Sequence, residues 1–314
     1  MKKILVITSS FEDITSSSFL NLKQQEGVSV SFAFISAASS MPISIPVYPT
    51  LKEALSFEKS DYLYFFDGGT LLTYAFLELI AYATTFHSDF VCCSVKSESS
   101  LYLSECTGSS FYATRGALVD EIEQKLAYTT ANKLFTFDFV TSHLSFLTDN
   151  CSLHSAAAFS LRSLAIANTI SVNGKLLCEK ETIVPSSIAT LSLSNLLDWI
   201  DTTLKGGQGK LYESICVVAF TNAIFLGEND TYSDFLADVT TLIRYTPFME
   251  HIHLLASDSY PFTKIFAKLA LFVNETSEYE LIESSYLYDM VLYGQYFASN
   301  IALLAHQCIL RLLY

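Results

Sequence analysis

Apolar, β-rich runs recur along the first half of the chain and alternate with stretches that have helical spacing. The runs that predict buried strands are 3–8, 28–35, 62–66 and 90–93. The stretches that predict helices are 14–25, 50–55, 71–86 and 156–167. Strands that alternate with helices are joined by right-handed crossovers. The pattern therefore predicts an α/β fold, a flavodoxin-like or Rossmann-like three-layer sandwich with a mainly parallel sheet.

The residues that follow the predicted strands are the first candidates for chemistry. Ligands of an open α/β sheet bind at the carboxyl ends of its strands. Polar residues follow three of the runs, at 9–13, 67–70 and 93–96. We expect these three segments to meet at one edge of the sheet.

The second half of the chain resembles the opening of the first half. Residues 60–69 read SDYLYFFDGG and residues 285–294 read SYLYDMVLYG, and an apolar helix is predicted after each. We interpret this as a degenerate, truncated repeat. The predicted organisation is a first domain over 1–170, a connecting segment over 171–210 and a smaller α/β half-repeat over 211–314.

Composition and charge exclude several classes of protein. The 314 residues are 51% hydrophobic and 16% charged, which is typical of a folded chain with a sizeable core. The formal net charge is -14, so nucleic acid is not an expected partner. No run is long enough to predict a membrane span, and the apolar run at 4–7 is too short for a signal peptide.

The seven cysteines are odd in number, irregularly spaced and free of CxxC or Cys/His clusters. They predict neither a disulfide framework nor a zinc site. Free thiols in a chain without a signal peptide favour a cytoplasmic location. His251 and His253 share one strand face, but no third metal ligand is evident, so no metal or other cofactor is expected.

Three segments together resemble the ThiJ/PfpI (DJ-one-like) superfamily, which has a glutamine amidotransferase-like fold. They are KKILVITSSFEDI at the first strand, FFDGGT after the third and DFVCCSVKS at the fourth. The segment 149–167 further resembles that family's closing strand and helix. The resemblance covers residues 1–170 and implies a reactive cysteine on a strand-to-helix turn, where a helix N-terminus favours the thiolate.

Carried over residue by residue, the resemblance assigns Cys93 as the nucleophile and Gly69, with Gly68, as the turn beside a developing oxyanion. Asp67 replaces the family's proline, and Thr15 stands where the family has its sulfur-facing glutamate. The histidine position offers only Thr114 and Arg115. The scaffold of the family is therefore present without much of its chemistry.

Two residues are candidates to replace the missing acid and base, Glu12 in the first turn and His154 near the predicted closing strand. Glu12 could equally flank the first helix, and His154 could be structural. Lys96 could lower the pKa of the Cys93 thiol or be a solvated lysine. The candidate catalytic set is thus Cys93, Glu12, Gly69 and His154.

Three functions follow as hypotheses from the resemblance. The first is a divergent stress-related or redox protein with impaired cysteine chemistry at Cys93. The second is an active cysteine-dependent hydrolase or a glyoxalase or deglycase acting on a small carbonyl compound. The third is a non-catalytic interaction scaffold. The expected partners are a small carbonyl substrate and a homodimer or intramolecular pseudo-dimer, without nucleic acid or membrane.

Overall fold

The structure, a computed structural model, describes most of the first half of the chain. The described residues are 1–10, 16–36, 45–97, 100–102, 110–112, 128–148, 156–181, 195, 199 and 202–204. The chain divides into two compact units, Met1–Ser186 with Thr203–Gln208 and Ser187–Thr202 with Gly209–Tyr314. The predicted repeat over 211–314 lies outside the described residues, and the predicted boundaries at 170 and 210 stay predictions.

A single mixed sheet forms the centre of the first unit, with ten strands among the described residues. In chain order they are β1 (Lys2–Thr8), β2 (Val28–Ile35), β3 (Val47–Tyr48), β4 (Tyr62–Phe65), β5 (Thr70–Leu71), β6 (Phe90–Ser97), β7 (Ser100–Tyr102), β8 (Ser110–Tyr112), β9 (Lys133–Thr136) and β10 (Ile170–Glu179).

The spatial order of the sheet is β3-β2-β1-β4-β9-β6-β10-β5, with β7 paired to β6 and β8 paired to β10. β1, β2, β3 and β4 are parallel neighbours, and β6 is parallel to β10. β9 lies between β4 and β6 and is antiparallel to both. The predicted α/β class is therefore confirmed, but the sheet is mixed rather than mainly parallel. Periodicity misses this difference because a buried strand has the same apolar pattern in either direction.

Helices pack on both faces of the sheet. Successive side chains of a strand point to opposite faces. On β4, the Tyr64 ring meets Phe76 edge-on, with ring centroids 5.2 Å apart, whereas the Phe65 ring lies 4.0 Å from that of Phe159. Phe76 and Phe159 belong to different helices, so β4 is covered from both sides. The helices are α1 (Ser17–Asn21, continued by a 3-10 turn over Leu22–Gln24), α2 (Leu51–Phe57), α3 (Ala75–Phe86), α4 (Phe137–Ser142), α5 (Leu144–Thr148) and α6 (Ala156–Ile166).

Local sequence accounts for several helix ends. The Thr50 hydroxyl accepts a hydrogen bond from the backbone N–H of Glu53, so Thr50 is the N-cap of α2. α3 ends where His87 takes a left-handed conformation with φ of 50°. No helix in the described part of the chain is both long enough and apolar enough to span a membrane.

Candidate functional site

The strand order places a switch point at β1, where the chain leaves for β2 and β3 on one side and returns as β4 on the other. The crevice outside the carboxyl ends of two such strands is where open α/β sheets bind ligands. β1 ends at Thr8 and β4 at Phe65, so Ser9 and Asp67 stand at this edge. We call it the carboxyl edge.

Asp67 is the central polar group of the carboxyl edge. One carboxylate oxygen, Oδ2, accepts from the Thr129 hydroxyl at 2.7 Å and from the Thr130 backbone N–H at 2.8 Å. The same oxygen lies 2.9 Å from the Lys180 ammonium, which also donates to the Thr129 hydroxyl at 3.1 Å. The other oxygen, Oδ1, is buried and has no hydrogen-bond partner in the described part of the chain.

The Asp67–Lys180 ion pair is nearly closed to solvent. The Asp67 side chain is 10% exposed and the Lys180 side chain 11%. Burial by itself raises the pKa of Asp67, but the Lys180 charge and the hydrogen bonds from Thr129 and Thr130 outweigh that effect. The pKa of Asp67 therefore lies below its ordinary value, and its carboxylate stays ionised because Lys180 is beside it.

A fully buried segment before β9, which we call the 128–132 turn, covers the end of β4. Within this turn the Thr130 hydroxyl donates to the Phe65 carbonyl at 2.9 Å, and the Ala131 carbonyl accepts from the Tyr64 hydroxyl at 2.8 Å. Because β9 runs antiparallel to β4, the segment that precedes it begins at the carboxyl edge. The antiparallel strand therefore delivers Thr129 and Thr130 to Asp67.

A second lysine lies under the same turn. Lys133 is fully buried, and its ammonium donates to the Thr129 carbonyl at 2.9 Å and to the Asn132 side-chain oxygen at 3.0 Å. Thr129 thus bonds two ammonium groups, those of Lys133 and Lys180, and one carboxylate, that of Asp67.

The two glycines after Asp67 have different reasons to be glycine. Gly68 has φ of 91°, in the left-handed region that side chains disfavour. Gly69 has an ordinary φ but no room: a Cβ there would lie 2.6 Å from Ala131 Cβ and 3.2 Å from Cys178 Sγ. Gly69 therefore brings the chain after β4 against the 128–132 turn.

Cys93 does not occupy the position that the sequence predicts for it. β6 continues to Ser97, so Cys93 is fully buried in the middle of a strand, and β6 pairs next with the antiparallel β7. The predicted strand-to-helix turn, with a helix N-terminus to favour the thiolate, is therefore absent at Cys93. The Cys93 backbone N–H donates to the Asn132 carbonyl at 3.0 Å, which ties β6 to the 128–132 turn.

The cysteine near Gly69 is Cys178 rather than Cys93. Burial, Cys93 and Asp67 raise the pKa of the Cys178 thiol well above its ordinary value. A thiol held in its protonated form is a poor nucleophile. Cys178 therefore packs as a small apolar residue beneath the carboxyl edge.

The remaining predicted site residues divide into described and undescribed ones. Glu12, His154, Thr15, Thr114, Arg115, His251 and His253 lie outside the described residues. Lys96 is exposed and lies 3.8 Å from Glu179 at the end of β10. Of the four residues in the candidate catalytic set, the structure describes Cys93 and Gly69, and only Gly69 adjoins the Asp67 cluster.

The carboxyl edge has little enclosed volume among the described residues. A crevice beside the ends of β1 and β4, lined by Thr8, Ser9 and Phe66 among others, has a cavity volume of about 20 Å³. This volume holds about one water molecule. A ligand at this edge would therefore contact the polar surface residues rather than fill a cavity. No group of three His, Cys, Asp or Glu side chains that could hold a metal ion occurs in the described ranges.

Sequence reasoning missed Thr129, Thr130 and Lys180. Lys180 directly follows β10. A prediction of residues 170–179 as a strand would have made Lys180 a candidate, because residues that follow strands were the first candidates for chemistry. Thr129 and Thr130 precede β9, which reads KLFT and lacks the uninterrupted apolar run that predicted the equally short β4. The antiparallel direction of β9 carries no signal in its own sequence.

Comparison with known proteins gives a likeness of fold. No protein-family model matches this chain, and no curated protein matches it significantly. The crystal structure of S. aureus TarS 1–349 aligns with a TM-score of 0.52 at 11% identity, over 78% of this chain and 80% of that chain. The crystal structure of S. aureus TarS aligns at 0.50 and 11% identity, over 78% of this chain and 49% of that chain. TarS 1–349 has also been crystallised in complex with UDP-GlcNAc.

These comparisons correct the family assignment. TarS is a glycosyltransferase, and its fold is not that of ThiJ/PfpI proteins. The prediction that this chain resembles the ThiJ/PfpI superfamily was therefore wrong. The quoted segments all flank buried strands, and any open α/β sheet places polar or glycine-rich residues there. The antiparallel β9 and the mid-strand position of Cys93 do not follow the expected pattern.

The functions inferred from that resemblance are corrected with it. The stress or redox protein, the cysteine-dependent hydrolase or glyoxalase and the scaffold all depended on a ThiJ/PfpI fold. The cysteine-nucleophile hypothesis for Cys93 and the small carbonyl substrate are likewise wrong. The homodimer and pseudo-dimer expected with them are not retained.

Proposed function

We propose that this protein is a glycosyltransferase that takes a sugar from a nucleotide-sugar donor, and that the donor diphosphate binds at the carboxyl edge. The likeness of its fold to TarS supports the class of protein. That TarS binds UDP-GlcNAc makes this compound the donor to test first. The topological switch point at β1 supports the place of binding.

The observation that carries the proposal is the charged cluster around Asp67. The Lys180 ammonium contacts Asp67 and the Thr129 hydroxyl, and the Lys133 ammonium donates to the Thr129 carbonyl. A diphosphate is bound by charge-assisted hydrogen bonds from such groups and from polar N–H and O–H donors.

The state of Asp67 favours a second candidate, a protein that binds the donor without transferring its sugar. Asp67 Oδ2 is already engaged by Lys180, Thr129 and Thr130. A carboxylate with a lowered pKa and three donors on one oxygen is a weak general base. Donor binding and sugar transfer are therefore separate properties, and each needs its own measurement.

Isothermal titration calorimetry with UDP-GlcNAc, UDP and free GlcNAc tests the first property. We expect UDP-GlcNAc and UDP to bind and GlcNAc alone to bind far more weakly, because the cluster recognises the diphosphate. Failure of both UDP-GlcNAc and UDP to bind would overturn the proposal. Release of UDP from UDP-GlcNAc, with water as the acceptor, then separates the two candidates: release supports a transferase, and binding without release supports the second candidate.

The cytoplasmic location expected from the sequence is part of the same proposal. Cys92, Cys93 and Cys178 are free thiols, which is the usual state of cysteine in a reducing compartment. Fractionation of cells that express the full chain tests this point, with recovery outside the cytoplasmic fraction as the contrary result.

A further inference from the structure

An open groove of about 460 Å³ lies at the edge of the sheet opposite to Asp67. β1, β4 and β6 all begin at this edge, and β9, which is antiparallel to β4 and β6, ends there. We propose that this groove binds a neutral saccharide. Its volume is within the range of small-molecule sites, about 300–1,000 Å³. We call it the amino groove, and its walls include Lys2, Tyr62, Ser88, Asp89, Asp138 and His143.

Ser88 forms a buried part of the wall. α3 ends at His87, whose left-handed conformation turns the chain, and the Ser88 backbone N–H donates to the Ala83 carbonyl at 3.2 Å. Ser88 is 3% exposed, and its hydroxyl has no hydrogen-bond partner in the described part of the chain. Buried hydroxyls are normally paired. A hydroxyl of a ligand in the groove would supply a partner for Ser88.

Asp89 is fixed beside Ser88 through one of its two carboxylate oxygens. Oδ2 accepts from the backbone N–H of Asn168 at 2.6 Å and from that of Thr169 at 3.0 Å. The Asp89 carbonyl also accepts from the Thr136 backbone N–H at 2.9 Å. These contacts hold the side chain in one position, so the remaining oxygen, Oδ1, is a preorganised acceptor in the wall of the groove.

α4 supplies two more acceptors. Asp138 is an exposed residue in the first turn of this helix. His143 follows the last residue of the helix, and its Nδ1 lies 3.0 Å from the Phe139 carbonyl oxygen. Because a carbonyl oxygen only accepts, Nδ1 carries a proton, and Nε2 of the neutral ring is an acceptor. The Phe139 ring, with its centroid 5.1 Å from that of His143, supports the imidazole in this position.

The mixture of donors and acceptors indicates the class of ligand. The walls hold the Lys2 ammonium together with the carboxylates of Asp89 and Asp138. An ammonium ligand has no acceptor for Lys2, and an anionic ligand has no donor for the carboxylates. A hydroxyl both donates and accepts, so a neutral compound with many hydroxyls can satisfy both kinds of group. Saccharides are compounds of this class.

The amino groove is a site of recognition and not of sugar transfer. β4 runs from this edge of the sheet to the carboxyl edge, and its four residues separate the two edges by more than about 10 Å. A saccharide in the groove therefore does not reach a ligand beside Asp67. The inference is independent of the proposed nucleotide-sugar function, and either one can fail alone.

Saturation-transfer-difference NMR of the full chain with maltose, cellobiose and chitobiose tests the inference without any mutation. We expect at least one of these disaccharides to bind with a dissociation constant of about 1 mM. An excess of UDP should leave this binding unchanged, because UDP is expected at the other edge of the sheet. Spermidine and glucose 6-phosphate, the charged probes, should not displace the disaccharide.

Two results of this experiment would overturn the inference. The first is the absence of saturable binding by all three disaccharides. The second is displacement of the bound disaccharide by UDP, which would place it at the carboxyl edge, or by either charged probe, which would contradict the preference for a neutral ligand.

Variants test whether the disaccharide lies in the amino groove. Ser88→Ala should weaken its binding roughly 3- to 10-fold, as expected for the loss of one hydrogen bond. The same variant should keep the thermal stability of the protein, because the hydroxyl has no partner in the described part of the chain. Asp138→Asn should weaken binding several-fold, because a charge-assisted hydrogen bond becomes a neutral one. Unchanged binding in both variants would contradict the proposed place of binding.

Ser160→Ala is the matched control for Ser88→Ala. Ser160 is a fully buried serine of α6 whose hydroxyl also has no partner among the described residues, and it does not line the amino groove. Ser160→Ala should therefore bind the disaccharide as the unaltered protein does. Equal weakening in the two variants would show that Ser88 has no specific role and would count against the inference.

Discussion

At the scale of single residues, Asp67 carries a negative charge into a position that is 10% exposed. Such a charge is tolerated because Lys180, Thr129 and Thr130 all meet it. Removing one partner leaves the other buried and unpaired, which costs more than the pair contributes net. The stability of this edge therefore depends on both charges being present together.

Asp67→Asn should lower the free energy of unfolding by about 3–5 kcal/mol at neutral pH, because it leaves the Lys180 charge without its partner. Folding lowers the pKa of Asp67, so its contribution is present above the ordinary pKa of about 3.9 and is lost as the pH falls through the folded-state value. The difference in free energy of unfolding between Asp67→Asn and the unaltered protein should become smaller below pH ~4. Urea denaturation across this pH range measures it.

Asp61→Asn is the matched control for that experiment, because Asp61 forms an exposed pair with Lys2 at 3.0 Å just before the same strand. Its effect should be much smaller than that of Asp67→Asn. Equal effects of the two variants at neutral pH would show that the burial of Asp67 contributes nothing.

Tyr48 offers a second titration, at the opposite end of the pH scale. Burial, the hydrogen bond to Glu58 at 2.8 Å and the Glu58 charge raise the pKa of Tyr48 to about 12. Its contribution to stability is therefore fully present below pH ~10 and is lost as the pH rises through the folded-state pKa of about 12. Glu58→Gln should shift the pKa of Tyr48 toward about 10.

NMR of tyrosine labelled with ¹³C at the ζ carbon measures the Tyr48 titration, with Tyr48→Phe to assign the signal. Glu53→Gln, in the first turn of α2, is the matched control and should leave the titration in place. An unchanged pKa in Glu58→Gln would mean that burial alone accounts for the shift.

At the scale of elements, the turn from β4 to β5 and the 128–132 turn are packed without spare room at Gly69. A Cβ on Gly69 would lie 2.6 Å from Ala131 Cβ, closer than two carbon atoms can approach. Gly69→Ala should therefore lower the free energy of unfolding by about 1–3 kcal/mol. Chemical denaturation measures the loss.

A second substitution shows whether that contact is the cause. Ala131→Gly removes the clashing atom and by itself costs roughly 0.5–1 kcal/mol as an added glycine. In the Gly69→Ala background it should instead restore stability, giving a favourable coupling between the two sites. Additive losses in the double variant would mean that Gly69 is required for another reason.

The elements also show what sequence patterns can and cannot predict. The long, apolar strand β2 was predicted with its observed ends, and the helix predicted from residue 50 begins there, with Thr50 as its N-cap. β5 was missed because two residues are too few to show a period. β9 was missed because KLFT, unlike the equally short YLYF of β4, is not an uninterrupted apolar run. The site depends on β9, since that strand delivers Thr129 and Thr130, so the candidate site could not be completed from the sequence.

At the scale of the whole molecule, the likeness of this chain to solved structures is a likeness of fold. Asp67, Gly68 and Gly69 were correctly placed after a buried strand, but residues of these types follow strands in many α/β folds. The direction of β9 between β4 and β6 separates these folds, and it is a property of pairing across the sheet. Local motifs therefore predicted which residues follow a buried strand, whereas the likeness of fold could be seen only from the topology.

The same topology predicts how protection against hydrogen exchange varies across the sheet. β4 and β6 are hydrogen-bonded on both sides and buried, whereas β3 pairs with β2 alone among the described residues and is half-buried. Opening of an edge strand breaks the hydrogen bonds to one neighbouring strand, whereas opening of a central strand requires most of the fold to open. Exchange followed by mass spectrometry should therefore be slowest for amides 63–65 and 91–95 and fastest for 47–48. Equal rates for β3 and β4 would contradict this strand order, because a strand with two neighbours cannot open as easily as a strand with one.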